Sequence, residues 1–175
     1  GSTIVRPPSP GDDGDSFTYS AANPWRDEWS NTLADVAMHF WKRDLRTDLD
    51  NKVPKSTANP AFWQHMVTFG ISIGLKGTLD PKSKADTDAL ANGTKVWPNP
   101  NDAEDLHRID DLYHASVNGR GSFVAAGNPD EFSAGIGNAL RAISARRGSG
   151  SNATVSGTST SAGSKVFQGK YFASK

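Results

Sequence analysis

The chain has 175 residues, with 19 Lys+Arg balancing 19 Asp+Glu, 35 % hydrophobic residues, 17 Gly and 10 Pro, which leaves room for one core with long polar flanks. Zero net charge argues against nucleic acid as a partner, and the absence of cysteine excludes disulfides, thiolate metal sites and a Cys nucleophile. No apolar run reaches the roughly 18 residues of a membrane helix, so no membrane insertion by this chain is expected. Gly1-Ser2 at the start reads as the remnant of a cleaved tag.

Residues 1–24, with Pro7, Pro8, Pro10 and the acidic run Asp12, Asp13 and Asp15, hold no helical or strand period and are predicted to be loop or linker. The acidic run lacks the alternating ligands and distal Glu of a calcium loop. A first helix is predicted from a cap at Ser30 or Asn31, its buried stripe being Leu33, Val36, Ala37, Phe40 and Trp41, with Lys42, Arg43 and Arg46 in its last turn. Pro54 and Pro60 keep residues 47–60 irregular.

Residues 66–76 alternate. Val67, Phe69, Ile71, Ile73 and Leu75 share one strand face; Thr68, Gly70, Ser72 and Gly74 share the other. Glycines and small hydroxyls suit close helix packing, so both faces are expected to be covered, as in a central parallel strand of an α/β sheet. Residues 77–101 read as a long irregular connection. A helix is predicted from about Asp102 to Val117, with Leu106, Ile109, Leu112, Tyr113 and Val117 on its apolar stripe, ending at Asn118-Gly119. A short strand Ser122–Ala126 follows. Asn128 then caps a further helix, with Pro129 first and Glu131 three residues on; its expected stripe is Phe132, Ile136, Ala139, Leu140 and Ile143, closed by Arg146-Arg147-Gly148. Residues 148–164 read as a Ser/Gly/Thr-rich linker, and 165–175 as the first strand of a β-rich region.

His107, Asp111 and His114 fall at i, i+4 and i+7 on one helical face. Two imidazoles and a carboxylate could ligate zinc and leave a position open for water, which makes a metal-dependent hydrolase the enzymatic alternative. A solvated polar face accounts for the same spacing. His39 and His65 sit beside aromatics and read as packed histidines. Asn118-Gly119-Arg120-Gly121 is like the short Asn-Gly-Arg signals of some receptor ligands, but also reads as a helix-ending turn. The five tryptophans (Trp25, Trp29, Trp41, Trp63, Trp97) are either core plugs or the anchors of a generic surface- or carbohydrate-binding module. No nucleophile elbow, phosphate loop or dinucleotide fingerprint is present.

Helix, central strand, long connection, helix, strand and helix follow the order of the second half of a doubly wound domain. Four runs, Leu33-Ala-Asp-Val-Ala-Met-His-Phe-Trp-Lys-Arg-Asp-Leu-Arg46, Asn59-Pro-Ala-Phe-Trp-Gln-His-Met66, Ile109-Asp-Asp-Leu-Tyr-His-Ala-Ser-Val-Asn-Gly-Arg-Gly121 and Gly127-Asn-Pro-Asp-Glu-Phe132, resemble the PilC/PilY family of type IV pilus biogenesis factors and tip adhesins. The resemblance spans roughly residues 20–146. It implies a partial, von Willebrand factor A-like α/β sheet with flanking helices over 25–147 and a C-terminal β-strand or hairpin leading into a propeller from 165. It further implies a non-enzymatic role in pilus assembly, attachment and surface sensing. The implied partners are minor pilins at the pilus tip and host or abiotic surfaces, and the implied location is secreted, at the pilus tip or outer membrane. Neither the Asp-x-Ser-x-Ser nor the Thr-Asp-Gly segment of an A-domain metal site occurs here, so no metal-site residue carries over and no cofactor is expected in this stretch; a divalent metal in the full-length protein is compatible with the resemblance.

Overall fold

The computed structural model describes residues 4–6, 17–145, 151–155 and 166–170, with side chains over 17–145. The elements run β1 (Ile4–Arg6), β2 (Phe17–Tyr19), α1 (Leu33–Lys42), β3 (Gly70–Ile73), α2 (Lys84–Asn92), α3 (Asp105–Asn118), β4 (Phe123–Ala126), α4 (Pro129–Ala145), β5 (Ser151–Val155) and β6 (Val166–Lys170). The chain is α/β, as expected. β3 pairs parallel with β4, Gly70 opposite Phe123 and Ile73 opposite Ala126. β1–β2 and β5–β6 are separate antiparallel pairs.

The parallel pair lies between α3 and α4. A Cβ on Gly70 would stand 2.5 Å from Ser116 Oγ and 3.2 Å from the Leu112 side chain, so α3 packs against the bare backbone of β3. On β4, Val124 fills the place a side chain at Gly135 of α4 would need. The parallel strand is therefore where the alternation puts it, but shorter, and it is not central: among the described residues β3 has β4 as its one neighbour in a two-stranded sheet. Ile71 is half-buried, while Ile73 and Leu75 are exposed and Gly74 turns away at φ 74° with nothing near it. Gly74 serves a turn, not a helix contact, and cover of both faces ends at Ser72.

α1 begins one residue later than predicted. Asn31 takes a positive φ of 61°, and Thr32 caps the helix in a reciprocal box with Asp35. Its buried face is Ala34, Ala37, Met38 and Trp41, whereas Leu33, Val36 and Phe40 of the expected stripe are exposed. The small alanines bring α1 close to α3, and this close packing decides which flank is covered. Arg46 lies beyond the helix end.

α2 occupies the stretch read as irregular. Its signals are local: Ser83 accepts from the Asp86 amide at the start, and Gly93 (φ 79°) closes the end. Only Leu90 of the helix is buried, so its hydrophobic period is too faint to see in sequence. α4 has the expected cap, with Asn128 Oδ1 accepting from the Glu131 amide at 2.9 Å. It buries Gly135 and Ala139 and leaves Leu140 and Ile143 exposed, again because small residues face the sheet. Its expected Arg146-Arg147-Gly148 ending lies outside the described residues.

The expectation of loop over 1–24 fails at both ends of that stretch. Ile4–Arg6 and Phe17–Tyr19 form the β1–β2 pair, and Tyr19 enters the core; three-residue strands are too short for a period to register. Within 148–164, Ser151–Val155 is a strand paired with Val166–Lys170, so the C-terminal hairpin includes residues read as linker.

Among the described residues two aromatic clusters form the interior. One contains Tyr19, Met38, Trp41, Ala61, Phe62 and Trp63, with Phe17 and Trp25 against it. The other contains Leu79, Leu90, Trp97 and Tyr113, with Val117 and Phe123 against it. Trp41 Nε1 donates to Asn59 Oδ1 at 3.0 Å and Trp63 Nε1 to the Trp41 carbonyl at 2.9 Å, so neither buried indole leaves its N–H unpaired.

Candidate functional site

The buried polar chemistry of the described residues gathers along the second half of α3. His114, Ser116, Asn118 and Arg120 are all under 9 % exposed, as is Asp110 one turn earlier. A helix clasped between α1, β3 and the segment 22–29 has no solvated side in its last two turns, and polar residues there must pair with one another or with backbone.

Arg120 is the centre. It follows Asn118-Gly119 with a positive φ of 58°, and its guanidinium lies 4.3 Å from the Trp25 ring and 3.9 Å from the Trp41 ring. It also donates from Nη1 to the Val117 and Asn118 carbonyls at 3.2 and 3.1 Å. Burial lowers its pKa to about 10, opposed by the nearby Tyr19 hydroxyl. Burial likewise raises Tyr19, with Arg120 pulling the other way. The receptor-signal reading of Asn118-Gly119-Arg120-Gly121 is corrected: Asn118 and Arg120 face inward. The glycines serve close packing, since a Cβ on Gly121 would overlap the Thr68 carbonyl and one on Gly119 the Thr68 side chain.

His107, Asp111 and His114 do not converge. His107 Nδ1 is 2.8 Å from Asp102 Oδ2. Asp111 accepts from the Leu33 and Ala34 amides at 2.8 and 3.0 Å, placing a carboxylate on the positive end of α1. His114 is 2 % exposed, lies flat against Trp97 at 4.1 Å and 7°, and has Nδ1 3.3 Å from Asp27 Oδ2. The solvated-face reading therefore fails for His114, because the segment 22–29 covers that side of the helix. Among the described residues no group of three His, Cys, Asp or Glu side chains is placed to hold a metal ion. Asp110, which sequence reading passed over, accepts from Thr78 N, Thr78 Oγ1 and Leu79 N at 3.0, 2.6 and 3.0 Å and so fastens the start of the connection to α3.

His39 is exposed rather than buried, its ring edge-on to Phe40 at 5.1 Å and 2.7 Å from Arg43 Nη1. His65 is held as expected, with Nδ1 at 2.7 Å from the Trp63 carbonyl and Nε2 at 2.8 Å from Asn59 Nδ2. Trp41, Trp63 and Trp97 are core plugs; Trp29 alone of the five reaches 36 % exposure. It borders a crevice of about 140 Å³ whose floor is Leu90 and Trp97 and whose wall includes Asn23, Arg26, Asp27 and Glu28. Trp25, Asp27 and Arg120 were missed as partners because their pairing joins residues some ninety positions apart; the one local trace was a cation placed directly after Asn-Gly. What this arrangement does chemically is hold buried charge between packed elements.

Comparison with known proteins gives one consistent result. The chain is 37 % identical over 154 residues to the type IV pilus biogenesis factor PilY1 of Pseudomonas aeruginosa strain PAK, covering 75 % of this chain and 13 % of that protein. It is 34 % identical to PilY1 of strain PAO1 over the same shares, and 32 % identical to that of strain UCBPP-PA14 over 78 % of this chain and 14 % of that protein. The chain thus spans about an eighth of the length of these curated relatives. No family model and no solved structure matches it.

Proposed function

We propose a function from one premise, that the aligned three quarters of this chain belong to the PilC/PilY family of type IV pilus biogenesis factors. The chain acts as a non-enzymatic structural region of a pilus-associated protein and contributes to the assembly of type IV pili. Its partners are minor pilins at the pilus tip, and through them a host or abiotic surface, with the protein secreted to the cell surface. Residues 25–147 form the C-terminal half of an A-domain-like unit, with a β-rich domain starting near 165.

The observation that supports this reading is identity above 30 % to three proteins bearing that name, spread across most of the chain. The geometry is in keeping with it: His107, Asp111 and His114 are each committed to a different structural partner, and the fold is invested in joining elements. The test is an in-frame deletion of residues 25–147 from the full-length gene in its own bacterium. Surface pili counted by electron microscopy are expected to fall to the level of a complete gene deletion. Normal piliation with normal attachment would overturn the proposal. Attachment assayed in a background where pilus retraction is blocked separates adhesion from assembly.

A further inference from the structure

The segment 22–29 is compact. The amides of Trp25 and Arg26 both donate to the Ala22 carbonyl, at 2.9 and 3.0 Å, and the segment lies along α3 with one charged tie to it. That tie is His114: Nε2 is hydrogen-bonded to the Trp25 carbonyl at 3.2 Å, and Nδ1 stands 3.3 Å from Asp27 Oδ2, within ion-pair reach of the carboxylate. A carboxylate and a carbonyl can only accept. Neutral imidazole has a single N–H and serves one of them; with the proton on Nε2, the bare Nδ1 lone pair faces the Asp27 carboxylate. Imidazolium keeps the Nε2 bond and adds the attraction of a cation for the Asp27 carboxylate. Trp97, stacked at 4.1 Å on the same ring, adds the attraction of an indole face for a cation.

We propose that His114 is a proton-operated latch: as imidazolium it fastens the segment 22–29 to α3, and on losing its proton it loosens that segment and the crevice wall formed by Asn23, Arg26 and Glu28. The direction follows from charge, since the protonated ring is paired with the Asp27 carboxylate and the neutral ring is not, so the tie weakens as pH rises. The other charged groups around the ring are accounted for. Arg26 and Glu28 belong to the same wall as Asp27, and Lys95, also on the crevice, is paired with Asp86 at 2.6 Å. Asp110 and Asp111 on α3 are spent on the amides of Thr78, Leu79, Leu33 and Ala34. α1 turns alanines and Met38 inward, and Arg120 lies across the Trp25 ring. The remaining ties of the segment, Trp97 Nε1 to the Pro24 carbonyl and Trp29 Nε1 to the Trp97 carbonyl, do not change with protonation.

The test is amide hydrogen exchange of residues 22–29 in the full chain at about pH 5.5 and pH 8, corrected for intrinsic rates, with ¹⁵N NMR of the His114 ring. Both ring nitrogens are expected to carry protons at the lower pH, and protection of 22–29 to fall several-fold at the higher. Asp27→Asn and His114→Gln are each expected to abolish that difference. A ring with one N–H at the lower pH, or equal protection at the two pH values, overturns the latch. So does a difference that persists in Asp27→Asn, which decides the matter even where His114→Gln fails to fold.

Discussion

Arg120 concentrates several interactions in one side chain. Desolvated cation–π contacts are worth about 2 kcal/mol each, and charge-assisted hydrogen bonds to carbonyls about 1.5–3 kcal/mol, against the cost of burying the charge, visible in its lowered pKa. Arg120→Ala removes these contacts and the stem that fills the space between Trp25 and Trp41, so it is expected to cost about 2–4 kcal/mol in urea denaturation. A loss below about 0.5 kcal/mol, the scale of an ordinary surface substitution, would show that the two rings do not use the cation. Asp110 makes a second case. Asp110→Ala leaves the amides of Thr78 and Leu79 without their acceptor, at about 1–3 kcal/mol for the buried Leu79 amide. Exchange at those two amides should rise more than elsewhere, and unchanged protection would remove Asp110 from its anchoring role.

At the level of the elements, close approach and termini decide the outcome. Gly121→Ala drives a methyl into the Thr68 carbonyl, which is backbone and cannot swing aside, so a cost of about 3 kcal/mol is expected. Gly74→Ala meets nothing and suffers only from its φ of 74°, about 1 kcal/mol. Thermal melts of the two variants should rank in that order; the reverse order would contradict the packing of β3 beneath the turn after α3. At the start of α4, Glu131 accepts from the Gly127 amide at 2.9 Å. This bond, and then Lys82 and Lys76, hold its pKa below the ordinary 4.5. A depressed carboxylate gives support that is present above pH 4.5 and lost as pH falls through its folded value. Amide protection in the first turn of α4 is therefore expected to decline on acidification below pH 4.5, and to be insensitive to acid in Glu131→Gln.

For the molecule as a whole, the N-terminal stretch is a structural member. Phe17, Tyr19 and Trp25 pack against Trp41 and Trp63, and Asp27 and Trp25 meet the polar groups of α3. Each buried aromatic contributes on the order of 1.5–3 kcal/mol, so a chain beginning at Ser30 loses roughly 5 kcal/mol or more, comparable to the whole stability of a domain. Its tryptophan fluorescence is expected to show no cooperative thermal transition near that of the full chain. Retention of that transition would mean the two aromatic clusters stand without the 17–29 cover.

The sequence by itself determined the α/β class, the parallel pairing implied by residues 66–76, the cap of α4 at Asn128 and the similarity to type IV pilus biogenesis factors, because these rest on local periodicity, local turn chemistry and word-like runs of residues. It did not reveal α2, whose one buried residue leaves no period, nor the faces of α1 and α4, where alanine and glycine face inward and larger side chains stay outside. Nor could His107, Asp111 and His114 be separated by spacing alone. Only the tertiary structure decided that Asp111 caps α1, that His114 meets Asp27 and that Arg120 lies between two indoles. Each of those contacts joins residues far apart in the chain, and a helical face becomes buried or solvated only when another segment arrives to cover it.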